Sequence, residues 1–402
     1  MPISTFDLTR LERVASGIGA SQELAAELDQ RGASRVLVVT TGSLLESTAL
    51  TTVRDVLGPR LVGVRTTAQH APSDRVQDIA RALDETDADA VVSLGGGSAI
   101  DSAKVAIASR LAGRDVTSEA GVLDPAAGFG PGGDTGFLHI AMPTTLSAGA
   151  FTPAGGVSHV ETHLKFAIIR PELQPRVVIH DAELTLETPA RLWLSTGMRA
   201  LDHAVEAIYA RRHHPLSDAV AEQAIRILVT ELPRSVGTGH TLDSRQRCLD
   251  GAWMSLFGGF NTGLGLSHSL GHQIGPAWDV PHGYTSCIML PHAMRFMAEV
   301  APERFGPIAR ALDVPYDAAA PHQAATACAE RVRQFISAFD LPTSLEEVGA
   351  NQQDLPRVAE QTREELAGFD AVDRPVSADE LLALLRAAFP RTAQPASGAR
   401  HS

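Results

Sequence analysis

From Ser34 to Asp181, short β-branched runs alternate with stretches of helical period, and this constrains the fold more than any other feature of the chain. The runs are Val36-Leu-Val-Val-Thr40, Leu61-Val-Gly-Val64, Ala90-Val-Val-Ser-Leu94, Phe137-Leu-His-Ile-Ala141 and Arg176-Val-Val-Ile179. Several of them are nearly continuous apolar segments, as expected of strands covered on both faces, and the helical stretches between them supply the covers of a parallel sheet. Leu24 and Leu28 form one helical stripe, closed by Gly32. Ser73 is read as the N-cap of a second, whose Val76, Ile79, Ala80 and Leu83 share a face. Residues 113–136 are rich in Gly, Pro and Asp and follow neither period, so they are expected to form a surface insertion. After Pro189 the strand signals cease and long helical patterns take over, which places a boundary near Leu184 to Pro189. The expectation is an α/β domain over residues 1–187, an all-α domain over 188–390 and a disordered tail over 391–402.

The sharpest local motif is Leu94-Gly95-Gly96-Gly97-Ser98-Ala99-Ile100-Asp101-Ser102-Ala103-Lys104, where a strand ends and a helix begins. Glycines let the backbone approach a bulky anion, and the following helix presents free N–H groups and the positive end of its dipole. A dinucleotide pyrophosphate suits that geometry; a tight turn without a ligand is the competing reading. The spacing is not G-x-G-x-x-G, so the Rossmann rule does not transfer directly. Pro143-Thr144-Thr145 closes the Phe137 strand with two hydroxyls able to meet a nucleotide, and Lys165 offers a charge. Thr41, at the end of the first long strand, joins the candidate cofactor contacts. That strand end carries no acidic residue to select a free ribose 2′-hydroxyl, which leaves both NAD(H) and NADP(H) open.

The second cluster of chemistry is imidazole-rich. In Leu192 to His214, Leu194, Met198, Leu201, Val205 and Ile208 mark the apolar face of a helix. Arg199, His203 and Glu206 share the other face, and by spacing alone they read as a solvated stripe. Further on come Ser267-His268-Ser269-Leu270-Gly271-His272 and then Pro281-His282-Gly283. His268 and His272 are one helical turn apart, as a metal site or proton relay requires, while His282 follows a proline and is expected on a loop over the same cleft.

Composition narrows the function. With 47 acidic against 34 basic residues, the net charge of −13 disfavours nucleic acid and anionic membrane surfaces as partners. Cys248, Cys287 and Cys328 lie far apart, without zinc or disulfide spacing. No apolar run approaches the roughly 18 residues of a membrane span, and Asp7, Arg10, Glu12 and Arg13 interrupt the apolar residues of the N-terminus. A cytoplasmic protein acting on a small molecule is expected.

Together these motifs resemble the iron-containing (group III) alcohol dehydrogenases, and among them the maleylacetate reductase-like branch. The resemblance implies a dehydroquinate synthase-like fold, an NAD(P)-dependent oxidoreductase acting on CH–OH or C=O groups, and a homodimer or larger homo-oligomer. It assigns Gly95, Gly96, Gly97, Ser98 and Asp101 to the pyrophosphate, with Thr144, Thr145 and Lys165 as further cofactor contacts. The P-T-T segment departs from the family's G-T-G-S-E continuation, reading Leu146-Ser-Ala-Gly-Ala-Phe151. In the family one aspartate and three histidines hold a divalent metal, iron or zinc. His203, His268 and His282 fall at the histidine positions and His272 at a further histidine near the reacting carbon, but the aspartate position holds Arg199. Asp202 lies three residues further along the helix, about 60° off the aspartate's direction, and is not expected to replace it.

A fixed guanidinium repels a divalent ion. The reading is therefore a reductase of a carbonyl substrate, an oxo acid, acting without metal. His272 or His268 would donate the proton, and Arg199 would clasp a carboxylate or polarise the oxygen. Two alternatives stand beside it. One is an iron- or zinc-dependent alcohol dehydrogenase acting on a neutral alcohol or aldehyde, with the metal on His203, His268 and His282. The other is a nucleotide-binding protein without catalysis.

Overall fold

The β-branched runs all form strands of one sheet. The structure is a computed structural model that describes residues 5–117, 137–162, 165–239, 241–263, 265–368 and 370–389, with only the backbone of Lys165 and Phe260. The expected disordered tail and most of the expected insertion lie outside the described residues. Strands β1 (Arg13–Ser16), β2 (Val36–Thr41), β3 (Leu61–Thr67), β4 (Ala90–Gly95), β5 (Leu138–Pro143) and β8 (Val177–His180) make a six-stranded sheet in the order β1-β8-β5-β4-β2-β3, with every pairing parallel. Strands β6 (Ala154–Ser158) and β7 (Lys165–Ile169) form a separate antiparallel hairpin.

Alternation along the strands sends successive side chains to two cores. Val36, Val38, Val92 and Ile140 pack under Leu24 and Leu28 of α1 (Glu23–Arg31) and Leu50 and Val53 of α2 (Thr48–Leu57). Leu37, Val39 and Val91 point the other way, under Val76, Ile79 and Leu83 of α3 (Ser73–Glu85) and Ile107 of α4 (Gly97–Ala112). Each such side chain, once buried, contributes about 1.5–3 kcal/mol, and a sheet covered on both faces needs apolar residues at consecutive positions. From β2 the chain first adds β3 outside it, then returns to lay β4 on its other flank. The carboxyl ends of β2 and β4 therefore flank a topological switch point, where ligands of open α/β sheets bind.

Two local expectations are corrected. Ser73 is the first helical residue rather than the N-cap; Pro72 holds the cap position, and the Ser73 hydroxyl accepts from the Val160 N–H instead. The histidine-bearing helix α5 spans Ala190–Tyr209 and stops short of His214. The helix breaks at Ala210, extended at φ −57°, ψ 148°, and Pro215 then keeps the residue before it out of helical geometry: His214 sits at φ −138°, ψ 142° and caps the next helix, α6 (Pro215–Glu231), accepting from Leu216 N–H at 3.1 Å. Strand β1 carried no apolar run in the sequence; it is an edge strand with both ends exposed.

Past β8 the described chain is helical: α7 (Leu242–Leu256), α8 (Gly259–Thr262), α9 (Leu266–Trp278), α10 (His282–Val300), α11 (Gly306–Ala311), α12 (Pro321–Ser337), α13 (Leu355–Gly368) and α14 (Ala378–Ala387) follow. Trp193, Leu201, Val205 and Ile208 of α5 form the centre of one core with α6, α7 and α12. Leu266, Leu270 and Ile274 of α9 face Val358, Ala359 and Leu366 of α13 in another. No described helix is long and apolar enough to cross a membrane.

Candidate active site

At the switch point the glycine motif turns sharply from β4 into α4. Gly95 has φ +146°, a left-handed value that an L side chain rarely adopts, and a Cβ there would stand 3.0 Å from that of Ala99. A Cβ on Gly96 would meet the Thr145 side chain at 3.1 Å. Gly96 is the N-cap of α4 and offers no side-chain cap, so the first turn turns bare amide donors outward. Thr41 ends β2 across the crevice, its hydroxyl 3.0 Å from that of Ser43. The hydroxyl of Ser98 accepts from His70 N–H at 3.2 Å, and Asp101 follows on the same helix.

Thr144 and Thr145 carry the crevice toward the helical half. Thr144 N–H donates to the Gly95 carbonyl at 3.0 Å, and the Thr144 carbonyl accepts from Thr188 at 2.8 Å. Leu146 N–H then donates to Thr196 on α5 at 3.1 Å. One segment thus touches both the glycine loop and the helix that bears Arg199 and His203. Lys104 is not a cofactor-facing charge: its buried ammonium donates to the carbonyls of Gly149, Thr152 and Ala154 at 2.6–2.8 Å. Burial lowers its pKa to about 8, against the opposing charge of Asp101. Its role is to pin the loop after the threonines.

In the helical half the expected polar face of α5 is buried rather than solvated. Arg199, Asp202, His203 and Glu206 are all at most 9% exposed. They meet α9 and α10. Arg199 Nη1 donates to Ser286 Oγ at 3.3 Å and lies 4.0 Å from Asp202 Oδ2. It runs beside Gly271, whose missing side chain admits Thr285: a Cβ there would lie 2.6 Å from Thr285 Oγ1 and 3.6 Å from Arg199 Nη1. Asp202 Oδ2 accepts from Ser267 Oγ at 2.8 Å and Ser286 Oγ at 2.6 Å. Glu206 accepts from Ser267 N–H and from His268 Nδ1, both at 2.7 Å.

The four histidines form a row. Ring centroids lie 4.7 Å apart for His203 and His268, 6.2 Å for His268 and His272, and 5.8 Å for His272 and His282. His282 is the first residue of α10 and not on a loop: Pro281, extended at φ −58°, ψ 138°, serves as its N-cap. His272 Nδ1 is paired with Glu365 Oε1 at 2.7 Å, and its side chain keeps 34% exposure.

Burial dominates the electrostatics. It holds His203 and His268 well below the ordinary imidazole pKa, with the Arg199 charge pushing the same way, so both rings are neutral. It raises Asp202 to about 6 and Glu206 well above the carboxylate range, with Arg199 opposing both shifts. The guanidinium itself is lowered by burial and supported by Asp202, Glu206 and Glu365. Glu365 and Ser286 were not among the residues singled out by the sequence, and Ser267 stood there only as the start of the histidine motif. Asp202 reaches this cluster through the serines of α9 and α10 and not from the vacated aspartate position.

Two family models divide the chain: iron-containing alcohol dehydrogenase over residues 12–182, and the C-terminal region of the iron-containing alcohol dehydrogenase family over residues 193–389. The chain is 30% identical to maleylacetate reductase of Rhizobium sp. (strain MTP-10005) over 380 residues, 94% of this chain and 95% of that protein. The chain belongs to the iron-containing alcohol dehydrogenase family. Within the family it is also 30% identical to the NAD-dependent methanol dehydrogenase of Bacillus methanolicus over 355 residues, 87% of this chain and 91% of that one. The crystal structure of maleylacetate reductase from Agrobacterium tumefaciens matches with a TM-score of 0.78 at 29% identity, covering 97% of this chain and 99% of its own. The chain is thus a maleylacetate reductase-like member of the family and an NAD(P)-dependent oxidoreductase acting on CH–OH or C=O groups.

Proposed function

We propose that the protein reduces the carbonyl of an oxo acid with NAD(P)H and that Arg199 takes the place of the family's metal as the resident cation of the site. The observation that carries this reading is the buried guanidinium, hydrogen-bonded to Ser286, beside the neutral imidazoles of His203 and His268. The donor set does not fit a divalent ion at the family's position. Arg199 would stand against it at short range, and among the described residues the three side chains whose ligand atoms converge within 4.8 Å are Asp202, Glu206 and His268, not the three histidines. Asp202 Oδ2 and both Glu206 oxygens are already engaged by Ser267, Ser286 and His268, while Asp202 Oδ1 is buried without a hydrogen-bond partner.

Gly95, Gly96, Gly97, Ser98 and Asp101 would receive the pyrophosphate, with Thr41, Thr144 and Thr145 around the rest of the nucleotide; the side chain of Lys165, the remaining candidate, lies outside the described residues. The cofactor, when bound, supplies the hydride. Arg199 clasps the substrate carboxylate through its two-pronged donor set and so orients the keto carbon. As the carbonyl π pair moves onto oxygen, His272 gives that oxygen its Nε2 proton and is left neutral, with Nδ1–H still directed at Glu365. His272 suits this role better than His268, because it is part-exposed and can be reprotonated from solvent, whereas His268 is buried and held neutral. His203 and His282 complete the same row of imidazoles.

A second reading, a metal-dependent alcohol dehydrogenase, draws on two buried imidazole nitrogens without a hydrogen-bond partner, His203 Nδ1 and His268 Nε2. It requires Arg199 to swing out of its buried position. Single-turnover oxidation of NADH and NADPH by chelator-treated protein, with maleylacetate and other oxo acids beside neutral aldehydes and ketones, separates the two. Oxo-acid turnover without metal is expected. Activity that returns only with Fe²⁺ or Zn²⁺, and on neutral substrates, would overturn the proposal.

A further inference from the structure

We infer that Glu365, 93 residues along the chain from His272, is the positioning residue of the proton donor, and that α13 thereby belongs to the reaction site. The inference rests on the reading of His272 as that donor. Both oxygens of the Glu365 carboxylate are committed to adjacent residues of α9: Oε1 to His272 Nδ1 at 2.7 Å and Oε2 to Gln273 Nε2 at 2.6 Å. Two bonds fix the orientation of a carboxylate that one would leave free to rotate. An ionised carboxylate is an acceptor only, so Nδ1 must carry the proton, and the ring presents Nε2 to the cleft. The backing is rigid. Leu266, Leu270 and Ile274 of α9 pack on Val358, Ala359 and Leu366 of α13, and Leu366 is the immediate neighbour of Glu365.

The carboxylate has a second effect. It faces the Arg199 guanidinium closely enough to support its charge, together with Asp202 and Glu206. While His272 carries its extra proton, Glu365 offsets that charge. Once the proton has gone to substrate oxygen, the pair is left as neutral imidazole and carboxylate, and the next proton enters at Nε2 from solvent. His268, which meets His272 edge-on, is committed to a different carboxylate, Glu206.

The test is a double-mutant cycle in the full-length protein, read as kcat with the carbonyl compound the wild type turns over best. Glu365→Ala is expected to lower kcat about 10- to 100-fold, with KM for NADH unchanged. Glu365→Gln retains an oxygen to accept Nδ1–H and is expected to recover most of that loss. Glu365→Ala/His272→Ala is expected to be no slower than His272→Ala alone, because a positioning residue has nothing left to position. Multiplying penalties, or a Glu365→Ala protein at the wild-type rate, would overturn the inference. A His272→Ala protein with full activity would remove the donor assignment and Glu365's role with it. A preference for neutral carbonyls would instead remove only the oxo-acid reading, since the cycle can be run on either substrate.

Discussion

Replacing Arg199 is the perturbation that most directly tests the site. Arg199 is 9% exposed, and its Nη1 meets Ser286 Oγ at 3.3 Å and Asp202 Oδ2 at 4.0 Å, which leaves other donors of its fork for an anionic substrate. Truncating one partner of a buried, hydrogen-bonded charge pair costs about 2–5 kcal/mol, which at about 1.4 kcal/mol per decade corresponds to a fall in kcat/KM of about 30- to 4,000-fold. For Arg199→Ala this loss is expected on an oxo acid and to lie mainly in KM, whereas a neutral ketone of similar size should lose no more than about threefold. Arg199→Lys keeps the charge and loses the planar fork, so an intermediate loss of about tenfold is expected. Initial rates of NADH oxidation against each substrate give both constants. Removing the guanidinium also strips Asp202 and Glu206 of their countercharge. Their carboxyls, already raised by burial, then bind protons in the folded state, and a drop in Tm of a few degrees should accompany the kinetic change. Equal losses on the oxo acid and the neutral ketone would refute the carboxylate clasp.

Three further outcomes are expected. Gly96→Ala places a methyl 3.1 Å from Thr145 at the mouth of the glycine loop and should weaken NADH binding about tenfold or more in a fluorescence titration, with Tm little changed; unaltered affinity would remove this loop from the cofactor site. Arg199→Asp places a carboxylate beside His203, His268 and His282 and should let the protein retain about one equivalent of zinc or iron by elemental analysis; a variant that stays metal-free would show that something besides Arg199 excludes the ion. His139 is buried beside Ser93, and burial lowers its pKa to about 3. The unfolded chain, with an imidazole near 6.5, therefore binds more protons than the folded one between those values, and His139 contributes a loss of stability as pH falls from about 6.5 toward about 3. His139→Gln should flatten the fall of Tm over that range; an unchanged slope would refute the assignment.

What the sequence discloses and what it conceals follow from how far apart the cooperating residues lie. The sheet was legible because a strand covered on both faces must be apolar at consecutive positions, as Val36 to Val39 and Ala90 to Val92 are. Edge strand β1, half polar and lacking that demand, left no such mark. The glycine turn and the pair His268 and His272 were legible for a similar reason: each is a device contained within a single loop or helical turn. Prolines misled in both directions. Pro215 keeps His214 out of the helix that the periodicity extended to it, though that helix already ends at Tyr209, and Pro281 stands at the N-cap of one where a loop was expected; proline disfavours a helical residue before it and tolerates one after it, yet Pro276 and Pro291 lie inside α9 and α10. The helical wheel set Asp202 apart from the aspartate position but did not disclose its partners, because an angle on the wheel describes only where a side chain leaves its own helix. The serines Ser267 and Ser286, brought from α9 and α10, decide where that carboxylate ends up. Glu365 had no signal at all, since nothing local distinguishes it from Glu364, and only the packing of α13 on α9 delivers it to His272. The position of Arg199 could thus be read from register alone, but the groups that make a buried guanidinium tolerable could not. Asp202, Glu206 and Glu365 together offset a charge that would otherwise be expelled from the interior. That shared compensation explains why the cation is held in place by the fold and does not depend on substrate for its stability.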